Sequence, residues 1–164
     1  MDMYTDESPA GADPEPSVEN SGDVRMSADA VEEFLDRRGW GCLTLASDGD
    51  AYAIPMSFGY DGDGTLYFFV QADRDGRKMA YLDATRTATF LVPEIRPPSW
   101  TSAVVRGGIE RVPDENVEAA YAAFAANAWF PACPWTGDRH PTAFEFYRLD
   151  ADEMTGRSSS AAGE

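Results

Sequence analysis

The single lysine of this chain, Lys78, stands in the run Asp75-Gly76-Arg77-Lys78, where an apolar strand-like stretch gives way to a helix-like one. Arginine and lysine total 13 residues against 29 aspartates and glutamates, so a cationic pair is scarce and its place is informative. Two adjacent cations at a helix start form an anion site, because free backbone N–H groups and the helix dipole already favour negative charge there. The same pair would also suit a solvated helix start, and the strand before it bears on the choice. Residues 51–60 read A-Y-A-I-P-M-S-F-G-Y. Side chains alternate faces along a strand, so Tyr52, Ile54, Met56, Phe58 and Tyr60 form a large apolar face. Ala51, Ala53, Pro55, Ser57 and Gly59 form a small one. A small face lets something flat lie close to the backbone: another strand, a helix or a planar cofactor ring. Pro55 has no N–H, so the ladder must open or end beside it.

Elements that would position these groups follow from turns and periodicity. Residues 1–24 are rich in Asp, Glu, Pro, Ser and Gly and are expected to be disordered, as is the tail 156–164. The folded domain is expected over residues 25–155. Ser27 caps a first helix with Asp29 in its first turn, Gly39 ends it, and Met26 with Val31 fits a hydrophobic staple. Val31, Phe34 and Leu35 form its buried stripe. Strands are expected at Cys42–Ala46, 51–60 and Thr65–Gln71, joined by Asp-Gly turns into a meander, with the third apolar on both faces and therefore central. A helix from Gly76 to Ala84 carries Met79 and Leu82 inward. Strand Thr87–Val92, a loop through Pro97-Pro98 and a long strand Thr101–Val112 follow, the last bent at Gly107-Gly108. A helix over 114–128 carries the stripe Val117, Tyr121, Phe124 and Ala128, and the last strand runs from Ala143 to Leu149. The fold class is mainly β with helices (α+β), a six-stranded antiparallel barrel with helices at its ends.

Composition excludes several functions. A net charge of −16 leaves no basic stripe for nucleic acid and no basic patch for a membrane surface. Shedding lysine while keeping Asp and Ala is the composition of a protein adapted to high salt, against the alternative of an ordinary acidic protein. Cys42 and Cys133 form no zinc spacing with His140, and Cys42 reads as a buried free thiol. No signal peptide and no membrane span are read from the chain, and a cytoplasmic location is expected. His140 lies alone in D-R-H-P and gives no convincing acid or base. Trp129, Phe130 and Trp135 would either roof a substrate site or form a satellite core.

The order of strand, D-G turn, A-I-P-M-S-F-G-Y-D, turn, L-Y-F-F-V-Q-A, then G-R-K opening a helix resembles the pyridoxamine 5′-phosphate oxidase-like flavin-binding split β-barrels. Within them it is most similar to the branch with nitroimidazole-resistance reductases. The resemblance covers roughly residues 27–157. It implies a six-stranded antiparallel split β-barrel and a homodimer with FMN in clefts between subunits. It places Ala53, Ile54, Pro55, Met56 and Ser57 alongside the flavin ring, Gln71 and Ala72 near the ribityl chain and phosphate, Arg77 and Lys78 on the phosphate, and Ser102 close to the cofactor. It implies an oxidoreductase passing hydride from NADH or NADPH through FMN to a small-molecule acceptor. The alternatives are a reductase using a deazaflavin coenzyme and a non-catalytic flavin-binding or flavin-shuttling module. Two departures stand out. Pyridoxamine phosphate oxidases carry an Arg where this chain has Ala53, and they end in a basic, Trp-containing segment where this chain reads F-Y-R-L-D-A-D-E-M-T-G-R. The pyridoxal-forming activity is therefore not expected, and Arg77 and Lys78, with Arg74 nearby, become the main phosphate charges.

Overall fold

A computed structural model describes residues 24–72, 76–128 and 144–159. The elements in chain order are β1 (Val24–Arg25), α1 (Ala28–Asp36), β2 (Trp40–Ser47), β3 (Asp50–Ser57), β4 (Gly59–Tyr60), β5 (Thr65–Gln71), α2 (Arg77–Ala84), β6 (Thr87–Arg96), β7 (Ser99–Arg111), a 3-10 turn (Asp114–Asn116), α3 (Val117–Asn127) and β8 (Phe144–Ser158). All strands join one antiparallel sheet in the order β3-β2-β6-β7-β8-β5-β4, with β1 beside β8. The six principal strands expected from the sequence are present, and the two-residue strands β1 and β4 bring the sheet to eight. The sheet curls until β3 contacts β5 without pairing to it, which is the split in the barrel.

Local chemistry accounts for the ends of these elements. The Ser27 side chain accepts the Ala30 N–H at 3.3 Å and caps α1, whose Val31, Phe34 and Leu35 are buried. The helix ends at an Arg37 cap, two residues before Gly39. Asp48 and Gly49 both take positive φ, the primed turn that a tight hairpin requires, and they join β2 to β3. Inside the barrel, Phe90 packs edge-on against Phe58 and Phe68 at 5.1 and 5.0 Å, among fully buried Leu43, Leu45 and Leu149.

Several expectations are corrected. The meander is broken at Phe58: its second hairpin remains as β4 and β5, with Gly59 opposite Tyr67 and Tyr60 opposite Leu66, while β3 does not pair with β5, which pairs with β8 on its other side. β5 lies inside the sheet, between β8 and the two-residue strand β4. It is apolar on both faces because Leu66, Phe68 and Val70 enter the core while Phe69 is covered by Phe124 of α3, with ring centroids 5.9 Å apart. The expected loop around Pro97-Pro98 is a short turn, with β6 reaching Arg96 and β7 starting at Ser99. β8 runs nine residues beyond Leu149, to Ser158, so Gly156, Arg157 and Ser158 belong to the sheet and not to the tail. Gly156 is crowded: an added Cβ would lie 2.7 Å from Met26 Sδ and 2.8 Å from a Val31 methyl carbon, so the staple of α1 closes over it. The bend expected at Gly107-Gly108 is a bulge whose extra residue is Asp152 on β8, between the pairs Arg106–Glu153 and Gly107–Ala151. On α3, Ala120 is the buried residue and Tyr121 is 64% exposed. Cys42 is half-buried rather than buried. Arg74, Trp129, Phe130, Cys133, Trp135, His140 and the expected disordered ends lie outside the described residues, apart from Val24, Gly156–Ser158 and Ser159.

Candidate functional site

Among the described strands, β3 ends the sheet on one side and pairs only with β2. Pro55, opposite Cys42, thus costs no ladder on its free side, which agrees with the opening predicted there. Its two faces differ as the sequence implies. Ala51, Ala53 and Pro55 are exposed, whereas Tyr52, Ile54 and Met56 are partly buried against the core. The small strip therefore faces outward, along an edge that no other described strand covers.

Where β3 meets α2, a cleft of about 250 Å³ is lined by Tyr52, Gln71, Gly76, Arg77, Lys78 and Met79. Three elements build it: β3 through Tyr52, the end of β5 through Gln71, and the first turn of α2. Gly76 at the N-cap brings no side chain to that turn, and among the described residues no side chain caps the first N–H groups of α2. Arg77 is exposed and Lys78 partly buried. The rings of Tyr52 and Tyr81 stack with centroids 5.1 Å apart. The Arg77 guanidinium lies 5.4 Å from the Tyr52 centroid and 5.8 Å from that of Tyr81. Among the described residues no carboxylate is ion-paired with Arg77. The cleft thus presents two cations and backbone N–H groups, a donor set suited to a phosphate.

Of the residues expected at a cofactor, Gln71, Arg77 and Lys78 line this one cleft. The other predicted residues sit elsewhere. Ala53, Pro55 and Ser57 stand on the outer side of β3, and Ile54 and Met56 turn inward; the cleft touches β3 through Tyr52. Ala72 lines a separate cleft of about 550 Å³ behind α2, with Leu82, Ile109, Arg111, Glu145 and Tyr147. There, burial raises the Tyr147 phenol above its ordinary value, with Asp83 and Glu145 adding to the effect, and Arg111 bridges Glu145 at 3.4 Å. Ser102 lies on β7 between Pro93 and Arg157, three strands from β3. Sequence reasoning missed Tyr52 and Tyr81 as parts of the site. The four-residue spacing of Arg77 and Tyr81 carried a signal for Tyr81. Tyr52 was hidden among the large residues of its face.

The outer face holds a second feature. Pro55, Cys42, Leu91 and Val104 align across β3, β2, β6 and β7, and Ile95 pairs with Trp100 farther along. Leu91, Ile95 and Trp100 are 39%, 75% and 37% exposed, an apolar band on the same side as the small strip. Among the described residues no cluster of His, Cys, Asp and Glu is placed to hold a metal ion, and no helix is long and apolar enough to cross a membrane.

The family model for pyridoxamine 5′-phosphate oxidase matches residues 27–158. In architecture the chain is similar to a FAD-binding protein from Mesorhizobium loti, at 25% identity and TM-score 0.68, covering 84% of this chain and 99% of that one. It is also similar to a FAD-binding protein from Mycobacterium smegmatis, at 22% identity and TM-score 0.64, covering 82% and 97%. A candidate 5-nitroimidazole antibiotic resistance protein from Bacteroides thetaiotaomicron is similar at 20% identity and TM-score 0.61, covering 83% and 87%. No curated protein matches the chain.

Proposed function

The chain belongs to the pyridoxamine 5′-phosphate oxidase family, and we propose that it is a flavin-binding oxidoreductase that takes FMN at the β3 edge and works as a homodimer. The observation that carries this reading is the juxtaposition of an exposed small-residue edge strand with a cleft holding Arg77, Lys78 and the uncapped start of α2. A planar ring fits against Ala53 and Pro55, and a phosphate fits the donor set around the corner at Gly76–Lys78. The likeness to the Mesorhizobium loti FAD-binding protein supports a flavin. It also favours a second reading in which the same cleft takes FAD, with its pyrophosphate on Arg77 and Lys78.

A bound flavin would supply the redox chemistry of hydride transfer between a nicotinamide donor, NADH or NADPH, and a small-molecule acceptor. The chain's own residues then have limited tasks. Arg77 and Lys78 hold the phosphate through charge-assisted hydrogen bonds. The first turn of α2 adds backbone donors. The backbone of β3 offers an edge of N–H and C=O groups to the polar rim of the ring, and Ala53 and Pro55 leave room for it. The apolar band of Leu91, Ile95 and Trp100 takes the second subunit, since a patch of this kind marks an interaction surface. That arrangement puts the ring strip at the rim of the interface, where a partner excludes water from it. The acidic surface reads as an adaptation to high salt. The test is one visible spectrum of the protein with FMN, before and after NADH or NADPH. Bound-flavin bands that bleach with the donor support the reading. Binding of a deazaflavin coenzyme that FMN does not displace overturns it.

A further inference from the structure

We propose that Tyr52 and Tyr81 are positioning residues that hold the Arg77 guanidinium for the cofactor phosphate, and so set the preference for phosphorylated flavin over riboflavin. The proposal rests on the flavin reading of the cleft. Arg77, Tyr52 and Tyr81 form a near-equilateral triangle, with separations of 5.1 Å between the rings and 5.4 and 5.8 Å from the guanidinium to each. Both cation–ring distances fall within the reach of a cation–π attraction, which is strongest where water is partly excluded. The three side chains come from two elements. Tyr81 follows Arg77 by four residues, on the same face of α2. Tyr52 comes from β3, the strand whose outer side offers the small strip. The ring stack therefore joins the two walls of the cleft, and the guanidinium lies across the joint.

The arrangement has a specific chemical consequence. An exposed arginine otherwise samples many rotamers and must be ordered when an anion binds, which weakens binding. Laid on two rings, the Arg77 side chain is ordered beforehand. The rings engage the planar cation without neutralising it, because no carboxylate pairs with it among the described residues. Its charge therefore stays available to an anion. A carboxylate in the same place would hold the arginine equally well but would compete with the phosphate. The stack also fixes the distance between β3 and the start of α2, hence between the ring and phosphate ends of a cofactor that bridges them.

The experiment measures the affinities of FMN and riboflavin by fluorescence titration for the parent, Tyr81→Leu, Tyr81→Phe and Tyr52→Leu, with thermal melts of each. The parent should prefer FMN. Tyr81→Leu and Tyr52→Leu should each lower FMN affinity about tenfold, the effect of losing one partly desolvated cation–π contact, and move riboflavin affinity much less. Tyr81→Phe should keep the parent's preference, since it keeps the ring. Loss of FMN and riboflavin affinity in equal proportion, or an unchanged ratio in both leucine variants, overturns the proposal and leaves the tyrosines as packing groups. If one leucine variant does not fold, the other reads the same ratio from a different element; if neither folds, Tyr81→Met decides by the same ratio. A parent that binds FMN no better than riboflavin contradicts the phosphate reading of the cleft itself, a result distinct from an insensitive ratio in the variants.

Discussion

Replacing Ala53 by leucine separates the cofactor reading from any structural role of strand β3. Ala53 is exposed and stands between Ala51 and Pro55 on an edge strand, opposite Thr44. At about 3.3 Å per residue, the strip from residue 51 to residue 55 is about 13 Å long, and the leucine would stand at its centre. The site is solvent-facing, so folding stability should change by no more than about 0.5 kcal/mol. For a domain of this size that is a shift of about 2 °C or less in Tm. A ring lying on the strip meets the added carbons directly. Forcing extra methylenes into a filled contact costs about 1–3 kcal/mol, which corresponds to about 5- to 150-fold in Kd. The assay is a fluorescence titration with FMN, paired with a thermal melt in its absence and a mass by light scattering, so that any change in assembly is seen. Ala53→Gly serves as the control and should bind like the parent. FMN affinity within about twofold of the parent in Ala53→Leu, with unchanged mass and Tm, would refute the placement of the ring on this strip.

Lys78→Ala should weaken FMN by about 1.5–3 kcal/mol, the range for a charge-assisted hydrogen bond; equal affinity by titration removes Lys78 from the phosphate site. The parent should have a dimer's mass by light scattering with FMN present, and Ile95→Asp, in the exposed band, should reduce it to a monomer; a monomeric parent contradicts the assembly. Burial raises the phenols of Tyr60, Tyr67 and Tyr147 above their ordinary value. The folded chain therefore keeps protons that the unfolded chain releases near about pH 10. Stability should be fully present below that pH and fall as pH rises toward the folded values; melts that stay level up to about pH 11 would refute this. If the charge of −16 reflects salt adaptation, Tm should keep climbing between about 1 M and 3 M potassium chloride, because screening has saturated by then and only salt exclusion or bound ions remain. A plateau below about 1 M identifies an ordinary acidic protein.

Signals confined to one element were legible. The Ser27 cap, the Asp48-Gly49 turn and the alternation along 51–57 each depend on neighbours in sequence, and each stands as read. Strand partnership was legible only across the tight turns that join β2 to β3 and β4 to β5. Alternation assigns the faces of β5 but says nothing of which edge it joins, and the break at Phe58 sends it to β8, on the far side of the split. The length of β8 was masked by the polar run Asp150-Ala151-Asp152-Glu153, where a bulge interrupts the period that would reveal a strand. The cleft between β3 and α2 was half legible. Arg77 and Lys78 stood out by charge, but Tyr52 and Tyr81 meet only once β3 and α2 are packed. On α3, Val117 and Phe124 pack inward as read while Tyr121 does not, because the helix is alanine-rich all round and its buried face is centred on Ala120.

The fifteen-residue strand β8 has a consequence for how the chain is made. Among the described strands it alone joins β5 and β4 to the rest of the sheet. Its pairing of Asp150 with Thr65 closes a long stretch of chain, and such non-local pairing is slow because loop closure precedes the reward. Until β8 leaves the ribosome, β5 and β7 each present an unpaired edge beside a core-facing row, Leu66-Phe68-Val70 on one and Ala103-Val105 on the other. Open edges of that kind recruit other chains. The nascent protein therefore has its greatest hazard of aggregation just before the strand that completes it, and cutting the chain ahead of Phe144 would leave two sticky fragments of sheet rather than a smaller barrel.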